Sequence, residues 1–140
     1  VTKIGYYKNK GNDMEYSRLI EQAINAQKNA YAPYSNFKVG AAVLCKNGKV
    51  FTGCNVENSS YPVSSCAERT TICKAVSEGE KDFVAIAIVG GDLSEYCFPC
   101  GMCRQLIVEF NADMDVIVAK STSDYKVYKA SELLTHHFKL

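Results

Sequence analysis

Residues 83 to 89 read "FVAIAIV", seven apolar side chains with no polar interruption. The run has the length of a strand and is far too short to cross a bilayer. In a strand, successive side chains point to opposite faces, so a run apolar at every position needs cover on both. This segment therefore asks for a central strand in a sheet with helices on two sides. The flanking sequence supplies them. "DMEYSRLIEQAINAQKNAYAPYS" places Leu19, Ile20, Ala23, Ile24, Gln27 and Ala30 at helical spacing, with Asp13 as N-cap and Pro33 as the stop. "FKVGAAVLCKNGKVFTGCNVE" reads as a β-hairpin around Asn47-Gly48, a pair suited to a type I′ turn. A second helix is expected over "CAERTTICKAVSEG", ending at Gly79. A third is expected over "PCGMCRQLIVEF", with Pro99 at or beside its first turn and Cys103, Ile107 and Phe110 on one stripe. "DVIVAK" and "YKVYKA" read as further strands, and "SELL" as a short helix before the tail. The order α-β-β-α-β-α-β-β-α predicts an α/β fold, a three-layer α/β/α arrangement around a mixed sheet of roughly five strands.

The length suits one domain, residues 1–140, and no repeat, low-complexity stretch or linker divides it. Sixteen basic and 15 acidic residues leave a net charge of +1, so no basic field exists to hold a polynucleotide backbone. The opening "VTKIGYYKNKGND" is polar and lacks the apolar core of a secretory leader, and no span long enough for a membrane helix follows. The expected compartment is the cytoplasm. Seven cysteines, an odd number, argue there against a disulfide framework and for buried thiols, a reactive thiol or a metal site.

Cys100 and Cys103 stand three apart at a helix start, which puts both thiols on one face. A lone C-x-x-C is compatible with a zinc pair, a redox pair or coincidence. No thioredoxin-like strand precedes it, and Cys66, at the start of the other helix, offers a third sulfur. Three thiolates leave the fourth tetrahedral position open, as in catalytic zinc sites, whereas a structural site closes it with protein. Cys97 and Cys100 form a competing C-x-x-C, but Pro99 between them disfavours a shared helical face. Cys73 lies two helical turns beyond Cys66, roughly 10 Å away and too far to share the ion. Cys45 and Cys54 fall in the hairpin and read as core, and His136 and His137 read as a solvated tail. In isolation "CAER" is a helix start with two solvated charges. Beside a three-thiolate zinc, Arg69 would offset the surplus negative charge, with Arg104 as a second candidate. Glu68, which as a fourth ligand would close the site, would instead take a proton from zinc-activated water and pass it to a substrate nitrogen. Attack on an electron-poor ring carbon would then release ammonia.

"CAER" followed by "PCGMCRQ", together with "YAPYSNFKVGAAVL", "TGCNVENSSYP" and the C-terminal "ELL…F", resembles the short, three-cysteine, zinc-dependent cytidine deaminases. The resemblance runs from about residue 31 to 138 and implies a cytidine deaminase-like fold with one Zn2+ per chain on Cys66, Cys100 and Cys103. It implies Glu68 as proton shuttle, Asn55 and Glu57 on the ribose hydroxyls, Phe37 beside the nucleoside and the Ala67 backbone on the pyrimidine. It also implies a homotetramer with shared active sites, in which Tyr61 and Phe138 reach a neighbouring pocket. The activity implied is hydrolysis of cytidine and 2′-deoxycytidine to uridine and 2′-deoxyuridine, a step of pyrimidine salvage on free nucleosides rather than nucleic acid. The sequence departs from the family pattern at Ser64, where glycine is usual nearby, and in "LLTHHF", where a Pro-Gly turn is commoner. A deaminase for a cytosine-containing antibiotic, an editing deaminase and a binding module with a structural zinc are the competing readings.

Overall fold

In the computed structural model, which describes residues 13–140, the elements run in this order: α1 (Asp13–Gln27), β1 (Val39–Cys45), β2 (Val50–Cys54), a 3-10 turn (Tyr61–Val63), α2 (Ala67–Ser77), β3 (Phe83–Gly90), α3 (Gly101–Phe110), β4 (Asp115–Ala119), β5 (Tyr125–Lys129) and α4 (Ala130–Leu133). The apolar run becomes β3, the middle strand of a five-stranded sheet ordered β2-β1-β3-β4-β5. β1 pairs antiparallel with both β2 and β3, β3 pairs parallel with β4, and β5 returns antiparallel to β4. The expected mixed sheet is present, with helices on both of its faces.

The two faces of β3 are packed differently. Ile86 and Ile88, with Ala41, Val43 and Val116, join a core under α2, α3 and α4 that includes Ile72 and Ile107. Ala85, Ala87 and Val89, with Ala42, Leu44 and Ile117, meet Leu19, Ile20 and Ala23 of α1. Each fully buried isoleucine contributes about 1.5–3 kcal/mol over exposure. The small alanine face has a different use: it lets α1 lie close. Gly40 shows how close, since a Cβ there would sit 2.1 Å from the Ala23 carbonyl oxygen.

Four boundaries differ from the sequence reading. Asp13 is already helical rather than the N-cap, and its carboxylate accepts from the Tyr125 hydroxyl. The cap position, like the polar opening segment read for a leader, lies outside the described residues. α1 ends at Gln27, well before Pro33, because Tyr31 must be extended to exchange backbone hydrogen bonds with Asn55 and Glu57. The hairpin loop has three residues, not two. Gly48 is left-handed at φ 90° while Asn47 is not, and the Gly48 N–H donates to the Cys45 carbonyl. That is a type I turn closed by a left-handed glycine, not type I′. The last helix starts at Ala130, one residue early, where the Ala130 N–H is held by the Met114 carbonyl.

Candidate active site

β2 and β3 flank antiparallel β1 and so point the same way. The chain leaves the C-terminal end of each into a loop and then a helix, so α2 and α3 begin at one edge of the sheet. Cys66 is the N-cap of α2 and Cys100 the N-cap of α3; both have extended backbone and neither thiol caps a backbone N–H. Both sulfurs therefore project freely at helix ends whose dipoles favour negative charge. Cys103, one turn into α3, is fully buried behind them.

The three sulfurs lie within 4.8 Å of one another, and Cys66 Sγ is 3.9 Å from Cys100 Sγ. Two sulfurs at about 2.3 Å from a tetrahedral zinc are about 3.8 Å apart, so the cluster fits the ion. Its electrostatics fit as well. The Cys103 thiol, followed by Cys100 and the charge of Arg69, holds Cys66 well below the ordinary thiol range, at about 5, against the cost of burial. Cys103 is pushed up, first by its hydrogen bond to Cys66 and then by burial. Cys66 thus ionises readily while Cys103 resists ionisation. A divalent cation removes that resistance. Donor type and spacing match zinc.

Glu68 is 4% exposed, and its Oε2 lies 3.1 Å from Cys103 Sγ. Burial raises its pKa above the ordinary carboxyl value, partly opposed by the hydrogen bond from Cys103. Arg69 donates from a terminal nitrogen to the Ser64 carbonyl, and its Nε is buried without a partner. Arg104, the second candidate cation, has another task. It donates to the carbonyls of Pro99 and Leu133 at 2.8 Å each, tying the loop before α3 to the end of α4.

Cys97 does not join the cluster. It packs against the core and beside Gly90, where a Cβ would stand 2.7 Å from its sulfur. Burial first, then the charges of Glu68 and Cys66, push its thiol up to about 12. Cys45 is buried in the core and Cys73 is exposed on α2, both away from the trio.

Asn55 and Glu57 face the segment before β1. Asn55 Oδ1 accepts from Val39 N and its Nδ2 donates to the Phe37 carbonyl, each at 2.8 Å. Glu57 Oε1 accepts the backbone N–H groups of Tyr34 and Ser35 at 3.0 Å, and Oε2 accepts the Ser35 hydroxyl. Each side chain keeps bonding capacity for a further partner. A cavity of about 310 Å³ opens between Tyr34, Ser35, Glu57, Tyr61 and Ser64. Phe37 lies over Gly90 and Gly91, and Gly90 also touches Cys97. Ala67, the first residue of α2, is buried, so its N–H is among those a helix start leaves without an intrahelical acceptor. Tyr61 and Phe138 are 71% and 68% exposed, and the Phe138 carbonyl is tied to α3 by Gln105 Nε2. The sequence reading missed Ser35 and the double service of Asn55 and Glu57. The one available signal was the Ser-Asn-Phe turn ahead of β1.

Comparison with known proteins agrees with this geometry. The cytidine and deoxycytidylate deaminase zinc-binding region matches residues 14–120. The cytidine deaminase of Halalkalibacterium halodurans is 47% identical over 126 residues, covering 89% of this chain and 95% of its own. The crystal structure of cytidine deaminase from Burkholderia pseudomallei superposes with a TM-score of 0.81 at 46% identity, covering 86% of this chain and 97% of its own. That of Mycobacterium tuberculosis superposes with a TM-score of 0.80 at 36% identity, covering 90% and 98%. With three thiols at two helix starts beside a buried glutamate, and relatives matched along nearly their whole length, this chain belongs to the zinc-binding cytidine and deoxycytidylate deaminase family.

Proposed function

We propose that the chain is a single-domain cytidine deaminase that hydrolyses cytidine and 2′-deoxycytidine to uridine and 2′-deoxyuridine, releasing ammonia, in pyrimidine salvage. The observation that carries the reading is the buried Glu68 carboxylate placed 3.1 Å from one of three clustered thiols. Cys66, Cys100 and Cys103 would hold one zinc ion, which supplies Lewis acidity toward water when bound. Glu68 accepts one proton from the attacking water and gives it to the ring nitrogen, then takes the remaining hydroxyl proton and gives it to the departing amino group. The C4–O bond forms first, with the C4–N3 π pair moving to the ring nitrogen; the bond from C4 to the amino group then breaks as C4=O forms, and the sum is water in and ammonia out. A carboxyl whose pKa is raised by burial suits both directions of that transfer near neutral pH. Arg69 tempers the excess negative charge of the thiolates.

Asn55 and Glu57 use their spare bonding capacity on the ribose hydroxyls, Phe37 packs beside the nucleoside, and the Ala67 N–H binds the pyrimidine. The exposed rings of Tyr61 and Phe138 support a homotetramer in which they complete a neighbour's pocket. Near-zero net charge favours a small neutral substrate over a polynucleotide. The test is to incubate purified protein with cytidine and follow uridine and ammonia. Turnover should cease with a chelator and return with zinc; a chelator-resistant reaction, or none on cytidine, overturns the reading.

A further inference from the structure

Gln27 ends α1 as one of its buried residues, polar rather than apolar. A buried amide must be satisfied, and this one bridges two chain segments. Its Nε2 donates to the Lys38 carbonyl and to the Gly91 carbonyl, each at 2.9 Å. The same Lys38 carbonyl accepts the Gly91 N–H. The β1–β3 ladder ends one step earlier, at Val39 with Gly90, because Gly91 turns left-handed at φ 62°. Gln27 thus adds a side-chain rung where the backbone ladder stops.

Phe37 rests on that rung. Its ring lies against bare backbone at Gly91, where a Cβ would come within 2.7 Å of it. Asn36 before it is left-handed at φ 56°, and Asn55 holds the Phe37 carbonyl from the other side. The Phe37–Val39 segment is therefore gripped by two carboxamides, Asn55 toward β2 and Gln27 toward α1. A cavity of about 870 Å³ borders Gln27, Phe37, Gly90 and Gly91, so the segment has room to shift once released. We propose that Gln27 is a positioning residue for nucleoside binding, setting the height of the Phe37 ring through its paired hydrogen bonds to Lys38 and Gly91. This rests on the proposed deaminase reading, in which Phe37 packs beside the nucleoside.

The test is a double-mutant cycle on the zinc-loaded protein with cytidine. Gln27→Met keeps the length of the side chain and removes both donors. It should raise KM about tenfold with kcat changed less than about twofold, the pattern of lost uniform binding. In Phe37→Ala, adding Gln27→Met should change KM no further, since the bonds then position nothing. Additive effects, or equal losses in kcat and kcat/KM, overturn the proposal. Gln27→Glu covers the case where the methionine variant does not fold. Its carboxylate loses both donors at neutral pH and regains one on protonation, so its KM relative to the parent should fall between about pH 8 and about pH 5. A flat ratio also overturns the proposal. Absence of cytidine turnover in the parent overturns the deaminase reading itself, and this inference with it.

Discussion

Replacing Glu68 by Gln separates the proposed proton transfer from packing. The two side chains have the same shape, and glutamine retains an oxygen for the 3.1 Å contact with Cys103. Glu68 is 4% exposed, so the substitution also removes a carboxylate that burial disfavours. The variant should fold and bind zinc, because neither Cys66, Cys100 nor Cys103 is altered. Its kcat should fall by about 10²–10⁴, the usual worth of a positioned acid–base group. That corresponds to about 3–5.5 kcal/mol of barrier. The metal-free protein should respond differently. A carboxyl whose folded pKa is raised subtracts stability as pH climbs from the ordinary carboxyl range through the folded value. Metal-free Glu68→Gln should therefore match the parent in acid and exceed it at neutral pH. The assay pairs single-turnover uridine formation with zinc content and thermal midpoints across pH. A variant with parental zinc and kcat within about tenfold of the parent would refute the shuttle role, since a group contributing so little is not moving the proton.

Cys100→Ser should lose zinc while Cys97→Ser keeps about one equivalent per chain, as metal analysis would show; the reverse would mean that the other C-x-x-C is the ligand pair. Gly40→Ala should lower the thermal midpoint by a cost of about 1–3 kcal/mol, because a Cβ 2.1 Å from the Ala23 carbonyl oxygen forces α1 off the sheet. Glu57 is held below the ordinary carboxyl range, chiefly by the Ser35 hydroxyl and then by the Ser35 N–H. A lowered pKa lends stability above the unfolded value, lost as pH falls through the folded one. Protection of the Ser35 amide, its exchange rate measured against the intrinsic rate at each pH, should therefore fall below about pH 4 in the parent and depend less on pH in Glu57→Gln.

Legibility in the sequence followed how local the governing physics is. The apolar run at 83–89 had to be a central strand, because both faces of it demanded cover, and β3 is one. Gly79 marked a helix end that is present: it is left-handed at φ 93°, and the Glu80 N–H reaches back to the Ala75 carbonyl. The pairing of Cys100 with Cys103 was legible because helix spacing and the Pro99 restriction act within a few residues, whereas Cys66, 34 positions upstream, was picked out by its place at the other helix start. What stayed hidden depends on distant partners. The end of α1 is fixed by Tyr31 pairing with residues near 56, and nothing in positions 27–33 announces it. Arg104 looked like a charge beside a ligand, yet two carbonyls that only the folded chain brings near it claim its guanidinium. Gln27 was visible on an apolar stripe, but its acceptors lie 11 and 64 residues away.

The direction of three strands explains why so many site residues meet at one edge. Because β2 and β3 run opposite to β1, the ends of β2 and β3 and the beginning of β1 share that edge. Cys66 follows β2, Cys100 and Cys103 follow β3, and Phe37 precedes β1, so one topological fact delivers the thiols and the aromatic ring together. Asn55, just beyond β2, is then within reach of the strand it must brace. Reversing any one of the three strands would send its contribution to the opposite edge, some five to eight residues of extended chain away. The site thus depends on the hairpin turning tightly enough to keep β1 between its neighbours, and the three-residue loop closed by Gly48 provides that turn. A substitution at Gly48 with a β-branched residue, which resists positive φ, should accordingly weaken zinc retention as well as stability, although no atom of the loop lies among the ligands.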